Sequence, residues 1–315
     1  DNNGGAILHC EAFGCTLIGN RASAGGGSDR STLEHCLLAD NYGGSIAGGA
    51  LSSTLSWCRV TGNLSRMEGG GANLCTLYNC LLDGNRAETI WEGDEPSGGG
   101  AKDSTLVNCT VVSNTGFWGG GVRGGTMINC IVYGNTATNN PNWQDGAFTN
   151  CCTTPLPAGA GNVTNDPQFV NFGNGDYRLG FSSPCIDAGD NAAVSGTEDL
   201  DGQPRIANGV VDMGAYELQS LGTAYGDWAL GITNGLTNAT DCAAGDGVPN
   251  LFRYAAGCPD PMAPDGLTEV DVGNAGAPKL IFNRNPDASD ISLIVESADS
   301  ISNGAAWRGL ATNVG

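Results

Sequence analysis

A cysteine followed five residues later by an asparagine recurs six times in the first 135 residues: Cys15/Asn20, Cys36/Asn41, Cys58/Asn63, Cys80/Asn85, Cys109/Asn114 and Cys130/Asn135. The steps between cysteines are 21, 22, 22, 29 and 21 residues. A fixed period of this size means one structural unit stacked on itself. Neighbouring positions form columns too. Ala12, Leu33, Leu55, Leu77, Leu106 and Met127 stand three residues before each cysteine. Leu17, Leu38, Val60, Leu82, Val111 and Val132 stand two after. The residue just before is Gly14, His35 or Trp57 in early copies and Asn79, Asn108, Asn129 or Asn150 in later ones. A glycine run precedes most copies, and Phe148, Asn150 and Cys151 mark a degraded seventh.

The apolar stretches are short, Thr and β-branched residues are frequent, and Gly or Asn interrupts them, which excludes helices. About 22 residues accommodate three short strands and their turns, one coil of a parallel β-solenoid with coils roughly 4.8 Å apart. Equivalent residues then stack. The aliphatic columns form the interior, and the asparagines form an amide ladder at a tight corner. The cysteines, flanked by Leu and Val, are expected to be a mostly reduced, buried stack. Parallel Cβ directions strain a bridge between adjacent coils. Off the ladder, Cys10 with Cys15, Cys75 with Cys80, and Cys242 with Cys258 are the disulfide candidates. With no Cys-x-x-Cys pair and only His9 and His35, zinc is disfavoured.

Gly4-Gly5-Ala6-Ile7 and the repeat resemble right-handed parallel β-helix proteins of bacteria, including the chlamydial polymorphic outer-membrane type. The resemblance covers roughly residues 1–160 and implies fold rather than activity. A second resemblance follows the repeat: Asp166-Pro167-Gln168-Phe169, Gly175-Asp176-Tyr177-Arg178-Leu179, Ser183-Pro184-Cys185-Ile186-Asp187-Ala188-Gly189, Asp199-Leu200-Asp201-Gly202-Gln203-Pro204-Arg205 and Asp212-Met213-Gly214-Ala215-Tyr216-Glu217. This series is similar to the end segment of bacterial surface proteins of the choice-of-anchor Q type. It implies a terminal coil and cap over residues 161–217, on an exported protein. Within it Arg205 is placed to pair with Asp187 or Asp212. Calcium held by Asp199, Asp201 and Asp212 is the alternative.

Residues 218–265 resemble a short helical element of secreted bacterial proteins, and Asp246-Gly247 with Asn250 resembles dockerin-like calcium loops. Cys242, Ala243 and Ala244 replace acidic positions there, so a helical linker packing Trp228 and Tyr254 competes with calcium at Asp246. Residues 266–315 read as a small β-module, with strands over Pro278–Arg284 and Ile291–Ser297. The chain opens inside a coil, as expected of a processed product or a piece of something longer.

The chain carries 13 basic and 33 acidic residues, a net charge of −20, and two lysines, Lys102 and Lys279. Phosphate binding needs clustered Lys and Arg, so nucleic acid and anionic membrane surfaces are disfavoured. No run of 18 apolar residues could span a bilayer as a helix. Function on a solenoid concentrates in inserted loops on one face. The 29-residue step comes from a loop carrying Glu88, Trp91, Glu92, Asp94 and Glu95. Trp118, Trp143 and Asp145 follow in the next two copies, on what should be the same corner. Aromatics beside carboxylates suit sugar binding, while flank packing explains the same residues without a ligand.

The expectation is therefore an exported, extracellular or surface-displayed β-helix with a structural, adhesive or glycan-binding role and no catalytic constellation or required cofactor. Its partners would be polysaccharide or a host or neighbouring cell surface. A polysaccharide lyase or carboxylate-pair hydrolase on the loop face is the alternative. A third reading is a fibre subunit associating end to end.

Overall fold

The computed structural model describes residues 4–88, 93–180 and 183–219, and four strands farther on. Asp1–Gln219 forms one compact unit and Ser220–Gly315 another. The first unit is an all-β parallel solenoid of about six coils at about 22 residues per turn, with almost no helix. Each coil contributes to four sheets rather than three. Three sheets have seven strands and one has six.

The first sheet runs from Ile7–Leu8 to Trp143–Gln144, and the second from Glu11–Phe13 to Ala147–Thr149. The third runs from Thr16–Ile18 to Cys152–Thr153, and the fourth from Arg21–Ala24 to Thr136–Asn139. Strands of two to five residues leave room for an extra corner, made where the chain turns left-handed. At the corner between the second and third sheets the turning residue is Asn79, Asn108, Asn129 or Asn150, with φ from 50° to 53°. Asn tolerates that conformation better than most side chains.

The columns align as the repeat predicts. Leu33, Leu55, Leu77, Leu106 and Met127 pair in register in the second sheet, and Leu38, Val60, Leu82, Val111 and Val132 in the third. All are fully buried in one core. The glycine runs bring the fourth and first sheets together backbone to backbone. A Cβ on Gly70 would strike the carbonyls of Arg86 and Gly99, so no other residue fits that corner.

The Asn ladder satisfies itself. Asn41 Oδ1 accepts from the backbone and side-chain amides of Asn20, both at 2.9 Å. Its Nδ2 donates to the Leu17 carbonyl at 2.8 Å and to Asn63 Oδ1 at 2.9 Å. The pattern repeats through Asn85, Asn114 and Asn135 and ends on Asn142, which donates to Thr154.

The cysteine stack is a hydrogen-bonded column. Cys36 Sγ accepts from the Cys15 N–H at 3.4 Å and lies 3.2 Å from the Glu34 carbonyl, to which it donates. The hydrogen bond between them moves Cys36 up and Cys58 down. Burial opposes a thiolate deeper in the stack, as at Cys80, whereas Cys15, the first member, is exposed. All eleven described cysteines are free; Cys242 and Cys258 lie outside the described residues.

Cys10 and Cys75 belong to a different column, which corrects the pairing with Cys15 and Cys80. The Cys10 N–H donates to Ser31 Oγ, Ser31 to Ser53 Oγ, Ser53 to Cys75 Sγ and Cys75 to Ser104 Oγ. That ladder lies at the corner between the first and second sheets. A second-sheet strand separates it from the cysteine stack, roughly 15 Å away at strand rise, beyond disulfide reach.

The second unit pairs Glu269–Val272 with Pro278–Ile281 and Leu293–Ala298 with Trp307–Asn313, both antiparallel. The expected helical element and Asp246 lie outside the described residues.

A candidate groove and a flanking strap

The end of the solenoid is closed by residues 154–165, not by the later motif segment. Trp143 Nε1 donates to the Pro155 carbonyl at 2.8 Å, and Asn162 holds Cys151 and Phe148. After the antiparallel hairpin Phe169–Asn171/Asp176–Leu179, residues 183–217 turn back as a strap along the outer face of the third sheet. Asn150 donates to Ala188, Asn129 to Asp190 and Asn79 to Ser195. Trp57 Nε1 donates to the Glu198 carbonyl at 2.8 Å. The strap therefore climbs the corner Asn column coil by coil. The outward residues beneath it, Leu81, Val112 and Ile131, are apolar and buried against Tyr177, Ala215, Tyr216, Leu179 and Met213.

The strap carries the motif carboxylates Asp199, Asp201, Asp212 and Glu217, and each of these four is occupied. Arg205 is buried and pairs with Glu217 at 2.8 Å, not with Asp187 or Asp212. Its guanidinium also donates to the carbonyls of Gly214, Asp212 and Tyr216. Asp212 accepts the N–H of Asp187 on one oxygen and of Leu218 on the other, both at 2.7 Å. Asp199 accepts from Asp201, Gln203 and Glu217 N–H groups. Asp201 is bound by Arg178 at 2.7 Å and faces Arg59 at 3.6 Å. These carboxylates do not fit a calcium site, because backbone N–H groups and arginines hold the oxygens that would face the ion.

The loop of the 29-residue step is the other candidate. Trp91 and Glu92 lie outside the described residues. Glu88, Asp94, Pro96, Thr115, Gly116, Phe117 and Thr138 line a shallow groove of about 340 Å³ on the outer face of the fourth sheet. Glu95 reaches back across one coil to accept from Trp118 Nε1 at 2.8 Å, which fixes that indole beside the groove. Phe117 packs edge-on against Trp118, with ring centroids 5.6 Å apart. Arg86 stands 3.7 Å from Glu88.

Trp143 and Asp145 are not part of this face, which corrects the expected trio of tryptophans. Trp143 pairs in register with Val122 in the first sheet, while Trp118 pairs with Asn139 in the fourth. The column of Trp143 is Ser28, Ala50, Ala72, Ala101 and Val122, an interior column, and its ring sits on Phe148. It plugs the last coil. Asp145 is a left-handed corner residue between the first and second sheets, with φ 58°.

The early coils also carry an aromatic row. Phe13, His35 and Trp57 stand on successive coils, with centroids 5.3 Å and 5.2 Å apart, and the second pair is stacked at 7°. The signal was present in the column just before the cysteines, where His35 and Trp57 replace the later asparagines. On the first sheet, Lys102 lies 2.6 Å from Asp103 and 3.2 Å from Glu68. Burial works against its charge, but those carboxylates hold its ammonium above the ordinary value.

No family model matches the chain, and no curated protein matches it. Among solved structures it is similar to one described as the crystal structure of pectate lyase Pel9A. The identity is 12% and the TM-score 0.34, over 64% of this chain and 69% of that one. A likeness at that level carries no functional argument.

Proposed function

We propose that the protein is an extracellular β-solenoid scaffold that binds glycan chains along the outer face of its fourth sheet. One observation carries this reading. The single insertion in the repeat folds back to place Glu95 on Trp118, beside a groove that offers Phe117, Glu88, Asp94 and two threonine hydroxyls. A clamped indole and an aromatic neighbour give faces for sugar rings, and the carboxylates and hydroxyls suit their OH groups. Two features favour binding over turnover. Lys102, the one lysine of the repeat, is held charged between two carboxylates and is unsuited to abstract a proton. The strap carboxylates Asp199 and Asp212 are consumed by the strap itself.

A glycan array read beside release of reducing ends and of unsaturated uronides tests the proposal. Binding without release is the expected result. Trp118→Ala and Glu95→Gln should each weaken it about tenfold, the loss of roughly one good contact. Release of either product would replace binding with catalysis. No binding to any glycan would leave a purely structural role.

A further inference from the structure

Cys152 and Cys185 meet in one buried cluster at the seam between solenoid and strap. Cys152 pairs with Ile131 at the end of the outward column of the third sheet. Its side chain therefore leaves the solenoid, whereas the adjacent Cys151 enters the core. Cys185 lies on the strap, anchored where its carbonyl accepts the Met213 N–H at 2.9 Å. Both are fully buried in one cluster with Ile131, Leu179 and Met213. The Cys152 thiol donates to the Asn165 carbonyl at 3.2 Å, and its nearness together with burial pushes the Cys185 thiol up.

This juxtaposition differs from the ladder. Ladder cysteines come from equivalent corner positions of successive coils, so their Cβ bonds run side by side and a bridge is strained. Cys152 and Cys185 come from separate segments, a strand of the last coil and the strap, whose side chains meet in one buried cluster, so no parallel register fixes their Cβ directions. We propose that Cys152 and Cys185 form a disulfide that staples the strap to the last coil.

The step balances with an external disulfide as oxidant, such as oxidised glutathione or a protein disulfide. The Cys152 thiolate attacks it, forms a mixed disulfide and expels one thiolate. The Cys185 thiolate then attacks the Cys152 sulfur and expels the second. Two protein thiols are oxidised, one external disulfide is reduced, and the two protons the protein thiols release are taken up, through solvent, by the two expelled thiolates. Because both sulfurs are buried in the docked state, exchange belongs to the stage before the strap closes, and docking then shields the bond from reductant.

The full chain is refolded with oxidised glutathione, alkylated in denaturant without reductant, digested and mapped by mass spectrometry. The expected result is a peptide joining Cys152 to Cys185 that disappears on reduction. Cys152→Ser should abolish it and Cys151→Ser should leave it. Reductant should lower the melting temperature of the oxidised wild type by about 5–10 °C, as expected for a closed loop of this length. Full alkylation of both thiols, or a bridge that survives Cys152→Ser, overturns the proposal. The wild-type map decides the question even if a variant fails to fold.

Discussion

At the scale of the residue, the Asn ladder shows why a polar side chain can be a core element. Asn63 accepts from both amides of Asn41 and donates to the carbonyls of Leu38 and Thr61 and to Asn85. Removing it strands groups on two coils with no water to replace the partner. An unsatisfied buried group costs about 1–3 kcal/mol, so Asn63→Ala should lose roughly 2–4 kcal/mol in denaturant unfolding. Asn20→Ala, at the first rung, should lose less, because Asn20 is only half-buried and contributes one side-chain bond to the ladder. Equal losses would mean the rungs act only through backbone conformation. This ladder was legible in the sequence because its spacing is strict. The Ser31–Ser53–Cys75–Ser104 ladder was not, because Ser and Cys are mixed in it and no single letter holds the column. The same column logic reads both once oxygen and sulfur are treated as equivalent acceptors of one N–H.

At the scale of the element, the strap explains a change in the sequence that periodicity alone could not. The column before the cysteines switches from Gly14, His35 and Trp57 to Asn79, Asn108, Asn129 and Asn150. The asparagines are the rungs to which the strap binds. The motif residues were visible, but their placement was not, because a segment without regular strands has no period from which to infer its path. The sequence places Arg205 to pair with Asp187 or Asp212, yet its partner is Glu217. Asp212 gives the strap a pH response. Burial, reinforced by the Glu217 charge, pushes its carboxyl up to about 7, against two N–H donors that favour the anion. A folded-state value raised above the unfolded one stabilises below the unfolded value, near 4, and is lost as pH rises to about 7. Hydrogen exchange should therefore show the amides of residues 205–218 less protected at pH 7.5 than at pH 5, after correction for intrinsic rates. Asp212→Asn should flatten that difference. A difference unchanged in the variant would assign it to another group.

At the scale of the whole molecule, the solenoid is covered unevenly. The third sheet is bare over the first coils, where Ile18 is 53% exposed, and sealed over the later ones, where Leu81, Val112 and Ile131 are buried. A stack of coils is held mainly by contacts between neighbours, so its ends and flanks can open separately. The strap should make the later coils the more stable part. Its hold depends on the buried Arg205–Glu217 pair, and removing one partner of such a pair commonly costs about 3–5 kcal/mol, because the other charge stays buried. Arg205→Met should therefore loosen the strap without unfolding the stack. In hydrogen exchange, protection should fall first at residues 183–217. It should fall next at Leu81–Asp83, Thr110–Val112 and Ile131–Tyr133 beneath the strap. Thr16–Ile18, which the strap does not reach, should exchange as before. A uniform loss across all coils would mean that strap and solenoid fold as one cooperative unit. The flank would then be part of the core and not a cover laid on it.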